Sequence, residues 1–218
     1  MPLTRSIIGL ALPLLLIAGC TENERATQRP ESPATEEDQT PQQTQGGQNG
    51  DNGDNGDDTE LASVSETFQP YGDDVAAVTY DDAVPEGATV DVRVTEDDDG
   101  EGTEFDLAVD GLEPDRDYGA HLHTDPCGED PDAAGPHYQN EEDPEQPSVN
   151  PEYANDDNEV WLDFETDSEG AADPDTDVDW TPREGEANSI VIHEQHTMTG
   201  EGEAGQAGDR LACVNVPL

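Results

Sequence analysis

Lysine is absent from this 218-residue chain, and its seven arginines face 55 acidic residues, for a formal net charge of -48. Nucleic acid and anionic membrane surfaces attract cations and repel carboxylates, so direct binding to either is not expected. Aromatic residues are scarce at 5%, and hydrophobic residues reach only 31%, which suits one domain with a modest core plus appendages. A bundle of long helices is disfavoured, because 17 prolines and 21 glycines interrupt the chain too often. Short strands joined by many turns fit better. The missing lysine and the acid excess read as a halophilic surface, with a dedicated cation-binding surface as the alternative.

The long apolar run at residues 7–18 follows Arg5 and is too short to span a bilayer comfortably, so it has the form of a signal-peptide core. Leu16-Ile17-Ala18-Gly19-Cys20 resembles a bacterial lipobox, which implies cleavage before Cys20, lipidation of Cys20 and an anchor on the outer face of a membrane. An ordinary secretory signal with an incidental Cys20 is the competing account. Residues 1–19 are therefore expected to be a lipoprotein signal peptide.

Residues 20–65 are expected to form a disordered acidic linker. They contain few aliphatic residues and the repeat Gly50-Asp51-Asn52-Gly53-Asp54-Asn55-Gly56, and so bury too little apolar area to offset ordering entropy. Calcium binding by that repeat is the lesser alternative to a solvated spacer.

Residues 66–218 are expected to be the folded domain. Residues 75–80, 89–94, 105–109, 118–123, 160–164, 189–193 and 211–216 have strand composition, and 89–94 and 105–109 also alternate with period two. Seven or so short strands spaced by Gly, Pro and Asp predict an all-β antiparallel sandwich or flattened barrel. Asp97-Asp98-Asp99-Gly100-Glu101-Gly102 begins like a calcium loop. Its ninth and twelfth positions are Phe105 and Ala108, so a hairpin turn is the better account.

Five histidines occur: His121, His123, His137, His193 and His196. Neutral imidazole is a leading ligand for copper and zinc. His121 and His123 are two apart on a strand-like run, so both rings project from one face and can meet one ion. In residues 189–193 the isoleucines can face the core while Ser189, Val191 and His193 share the other side. His137 follows the turn sequence Ala134-Gly135-Pro136 and would approach from a loop. His196, past its strand, is expected at the surface.

With Cys20 assigned to lipid, Cys127 and Cys213 remain as an even pair in an oxidising, exported location. Joining them would close 85 intervening residues, worth about 4 kcal/mol in the chain-entropy model. Two free thiols or thiolate metal ligands are the other readings.

Gly119-Ala120-His121-Leu122-His123, Cys127, Ala134-Gly135-Pro136-His137, Ile190-Val191-Ile192-His193-Glu194 and Ala207-Gly208-Asp209-Arg210-Leu211-Ala212-Cys213 resemble, in order, the signature blocks of the copper/zinc superoxide dismutases. The resemblance runs from about residue 75 to the C-terminus and implies a Greek-key β-barrel. It also implies His121, His123, His137 and His193 as copper ligands, Cys127 and Cys213 as an intrasubunit disulfide, and Arg210 as the arginine that guides superoxide. The implied reaction converts superoxide to dioxygen and hydrogen peroxide; in the zinc-containing family the histidine matching His137 carries a proton as a catalytic residue, and without zinc the proton is expected from water or a nearby acid.

The departures bear on zinc. The family's zinc is held by the residue matching His137, two further histidines and an aspartate, yet no histidine lies between His137 and His193. The loop at residues 141–158 is acidic instead. The family's aspartate four residues after the last copper ligand falls on Thr197, and the segment from His193 to Arg210 is short. The resemblance is therefore to a copper-only branch, with Asp156, Asp157 and Asp163 left as carboxylates for some other cation. Two alternatives stand beside the enzyme: a copper-carrying extracytoplasmic domain with little turnover, and a hydrolytic three-imidazole zinc site, for which no general base is evident.

Overall fold

The computed structural model describes residues 59–97 and 100–218. The signal-like run, Cys20 and the tether through residue 58 lie outside the described residues. Among the described residues nine strands follow in order: β1 (Glu60–Thr67), β2 (Ala77–Thr79), β3 (Thr89–Glu96), β4 (Thr103–Asp110), β5 (Asp117–His123), β6 (Phe164–Glu165), β7 (Asp175–Val178), β8 (Ser189–His193) and β9 (Arg210–Asn215). They form two antiparallel sheets, one ordered β1-β3-β4-β7 and the other β2-β9-β8-β5-β6. The chain crosses from β4 to β5 in the other sheet and returns as β7 beside β4, a Greek-key route. Among the described residues no helix is long and apolar enough to cross a membrane.

The expected all-β sandwich is thus observed, with differences at its edges. The boundary drawn at residues 65 and 66 falls inside β1, which pairs with β3 from Glu60 to Thr67. β7, Asp-Thr-Asp-Val, has poor strand composition and is held by its register against β4, from Thr103↔Val178 to Asp106↔Asp175. The run expected at residues 160–164 reaches the ladder only at β6. Its buried Val160 and Leu162 sit on a non-ladder segment, where Leu162 N donates to Ala120 O at 2.8 Å. β3 and β4 pair as a hairpin, and between them Gly100 N donates to Asp97 O at 3.0 Å.

The core follows from period-two alternation. Val90, Val92 and Val94 on β3 and Phe105, Leu107 and Val109 on β4 meet Ala120 and Leu122 on β5, Ile190 and Ile192 on β8, and Ala212 and Val214 on β9. In the second sheet the alternate positions are buried too. Val191 and Cys213 pack with Ala134 beneath the segment that follows β5. Cys127 in that segment is bonded to Cys213 on β9, with the Cα atoms 5.7 Å apart. The loop is thereby fixed over the far face of the sheet, and that face carries the histidines.

Candidate metal centre

The alternation that sends Ala120 and Leu122 to the core turns His121 and His123 to the opposite face of β5. The β5–β8 register sets Gly119 opposite His193 and His123 opposite Ser189, which brings His193 onto the same face. β9 shifts register between Ile192 and His193, so His193 faces Arg210 while Leu211 drops out of the pairing. A bulge of this kind re-aims a side chain, and here it delivers the guanidinium to the histidine edge.

His137 arrives from the loop, as expected. A 3-10 turn at Pro131–Ala134 ends at Gly135, whose φ of 73° is a left-handed value that a side chain would strain. Tyr138 N then donates to Leu122 O at 2.8 Å, and an isolated bridge pairs His137 with His123. The Gly135 carbonyl serves two neighbours at once: it accepts from Arg210 Nη2 at 2.7 Å and lies 3.0 Å from His123 Nδ1.

His121, His123, His137 and His193 each offer one nitrogen, and these four atoms lie within 4.8 Å of one another. Among the described residues this is the group of His, Cys, Asp or Glu side chains that converges on one ion-sized locus. His196 stands apart and half exposed, with its Nε2 3.0 Å from Phe164 O, as the sequence suggested.

Hydrogen bonds identify the free nitrogens. His123 Nδ1 is taken by Gly135 O, which leaves Nε2, and His193 Nε2 lies 3.4 Å from it. His137 Nδ1 lies 2.7 Å from Glu159 Oε2, again leaving Nε2. His121 is reversed: its Nε2 meets Thr197 Oγ1 at 2.6 Å, while Nδ1 is buried with no hydrogen-bond partner. Such an orphaned atom is costly unless a ligand takes it, which suits a metal. His193 Nδ1 also lacks a well-formed hydrogen bond, although the nearby Gly208 backbone favours its charged form.

Burial holds His121 and His123 well below the ordinary histidine pKa, and the neighbouring imidazoles push them further. His193 is lowered to about 3, first by burial and then by His137 and Arg210. These three imidazoles are neutral at physiological pH, the state a metal ligand needs. Burial also lowers Arg210, an effect that Asp132 opposes, and the Pro131 and Gly135 carbonyls fix its guanidinium. Arg210, His137 and His193 border a cleft of about 250 Å³.

Glu159, Asp163 and Thr197 contribute in roles that the sequence does not mark out. Glu159 is 1% exposed and accepts from Gln139 Nε2 and Trp161 Nε1 as well as facing His137. Asp163, earlier grouped with carboxylates for a cation, accepts two hydrogen bonds from Thr197. Asp156 and Asp157 are exposed and do not join the cluster. In a chain with 55 acidic residues, a buried carboxylate has no signature of its own; Glu159 follows directly on the acidic loop at residues 141–158.

No curated protein matches the chain. Among solved structures, a Cu/Zn superoxide dismutase from Brucella abortus is similar at 17% identity, covering 70% of this chain and 98% of its own, with a TM-score of 0.49. A double mutant of a SOD-like protein from Bacillus subtilis is 23% identical, covering 61% and 92% at a TM-score of 0.45. A single mutant of a SOD-like protein from Bacillus subtilis is 19% identical, covering 66% and 96% at 0.47. The family model for copper/zinc superoxide dismutase matches residues 88–216, a span that takes in all four clustered imidazoles, the bonded cysteines and Arg210. With more than half its length inside that match, the chain belongs to the copper/zinc superoxide dismutase family.

Proposed function

We propose that this chain is a copper-only superoxide dismutase, exported, held at the outer membrane face by lipid on Cys20, and suited to high salt. The observation that carries the reading is the convergence of four imidazole nitrogens within 4.8 Å, one of them buried and otherwise unpartnered. Nδ1 of His121 and Nε2 of His123, His137 and His193 would hold the copper, since imidazole suits that metal. Bound copper would supply one-electron redox chemistry, by which two superoxide ions and two protons become one dioxygen and one hydrogen peroxide.

The remaining roles fall to this chain's own side chains. Arg210, fixed by two carbonyls at the cleft, is a local cation for an anionic substrate in an otherwise repelling protein. Glu159 supports the copper-only reading, because it occupies His137 Nδ1, the nitrogen that a bridging imidazole would give to zinc. A carboxylate there keeps Nδ1 protonated and presents Nε2 as the donor and as the atom able to take up a proton.

The test is to load the protein with copper in high salt and measure superoxide decay beside the paramagnetic spectrum. Fast decay with an imidazole-rich signal supports the enzyme. The same signal without decay replaces it with the copper carrier. Arg210→Gln should lower kcat/KM for superoxide while leaving the spectrum in place; unchanged kcat/KM removes the guiding role.

A further inference from the structure

His121 is oriented by a side-chain hydroxyl, where His123 uses a backbone carbonyl and His137 a carboxylate. Asp163 Oδ1 lies 3.9 Å from His121 Nε2, too far for a direct hydrogen bond. Thr197 fills the gap. Its Oγ1 donates to Asp163 Oδ1 at 2.7 Å, and its backbone N donates to Asp163 Oδ2 at 2.7 Å. A hydroxyl has one proton, and an ionised carboxylate can only accept. With that proton committed to Asp163, Thr197 Oγ1 can only accept from His121 at 2.6 Å. His121 must then carry its hydrogen on Nε2 and its lone pair on Nδ1, the buried atom that has no partner in the protein.

We propose that Thr197 and Asp163 form a two-residue relay that fixes His121 as an Nδ1 donor, with Thr197 touching the ring and Asp163 setting the direction of the hydroxyl. Both are positioning residues. The backbone is shaped to admit them: a Cβ on Gly119, in the interior of β5, would stand 2.7 Å from Gln195 O and 3.3 Å from Asp163 Oδ1. Glycine in a strand interior marks such a close approach. The inference rests on the cluster being a copper site, but the tautomer itself belongs to the metal-free protein.

The experiment uses the full chain and nitrogen-15 NMR of the metal-free histidine rings, followed by copper affinity in chelator competition. Wild type and Thr197→Ser are expected to carry His121 hydrogen on Nε2. Thr197→Val keeps the shape and removes the hydroxyl, and it should mix the tautomers and weaken copper binding by about 10–100-fold. Asp163→Asn gives a sharper reversal. Its amide oxygen must face Thr197 N–H, so its NH₂ faces Oγ1, turns the hydroxyl toward His121 and moves the hydrogen to Nδ1. A Thr197→Val protein with the wild-type tautomer and affinity overturns the relay, as does an Asp163→Asn protein with hydrogen still on Nε2. Should Thr197→Val not fold, Asp163→Asn decides alone. Wild type that binds no copper defeats the proposed function, while the tautomer measurement still decides the relay.

Discussion

The two sheets of this sandwich are built from similar short strands but differ in what covers them. On β3 and β4 buried residues alternate with exposed or half-exposed ones, so one face packs on the core and the other meets water. On β8 all five residues are buried, and on β5 all but Asp117. The second sheet has core on one side and the disulfide-tied loop on the other. The difference shows where chemistry can sit in a strongly acidic protein: on a face that strand alternation would give to water, once a loop has closed over it. There His121, His123 and His193 stay neutral, and a single arginine is fixed by two backbone carbonyls with Asp132 at 3.9 Å from its Nε.

The largest way to break the contrast is to release the loop. Cys127→Ala with Cys213→Ala opens a span with a sequence separation of 86 and should cost about 2–5 kcal/mol in denaturant unfolding. Amide exchange should rise more in β5 and β8 than in β3 and β4. Equal change in both sheets would mean that the loop does not define the covered face.

Acid should act on the covered sheet next. His121, His123 and His193 have folded pKa values below the ordinary one, His193 at about 3. The unfolded chain takes up protons on them near pH 6.5, and the folded metal-free chain does not. Protons therefore favour unfolding, and stability falls progressively as pH drops from about 6.5 toward 3. Thermal unfolding of the metal-free chain reads this. Replacing the three histidines with glutamine should remove their share of the slope, and an unchanged slope would assign it to the carboxylates.

Glu159 sharpens the comparison at a smaller scale. Its two oxygens serve His137, Gln139 and Trp161, and glutamine offers one acceptor oxygen and sets an NH₂ against a donor. Glu159→Gln should lower copper affinity by about 10–100-fold in chelator competition. Asp106→Asn, on β4 of the open sheet, should leave it unchanged. Equal effects from the two substitutions would show that affinity follows overall charge and not the carboxylate behind His137.

How much of this could be read in the sequence follows the same division. The strands around residues 89–94 and 105–109 were legible because one wet face imposes alternation on the residues. The four imidazoles were legible because histidine is rare here and their spacing obeys strand geometry. β1 was missed, since Leu61, Ala62 and Val64 are only partly buried and its order comes from pairing with β3. Glu159 and Asp163 were illegible as partners of His137 and Thr197, because their contacts span 22 and 34 residues and nothing local distinguishes them from the other acids. The bulge that sets Arg210 opposite His193 likewise exists only in the ladder.

Salt gives the smallest local effect and a useful opposition. Arg93 Nε lies 3.5 Å from Glu60 on the open sheet, with both side chains more than half exposed. Such a pair contributes about 0.2–1 kcal/mol at low ionic strength. At about 1 M salt the screening length falls to about 3 Å, so the cost of Arg93→Ala should shrink toward nothing. The whole chain should respond in the opposite sense, because a net charge of -48 repels itself and screening relieves the repulsion. Circular dichroism of wild type and Arg93→Ala across a KCl titration should therefore show both proteins gaining stability and their difference closing. A wild-type curve that is flat or falls with salt would remove the halophilic reading, whereas a difference that persists at molar salt would mean that Arg93 acts through packing of its stem and not through its charge.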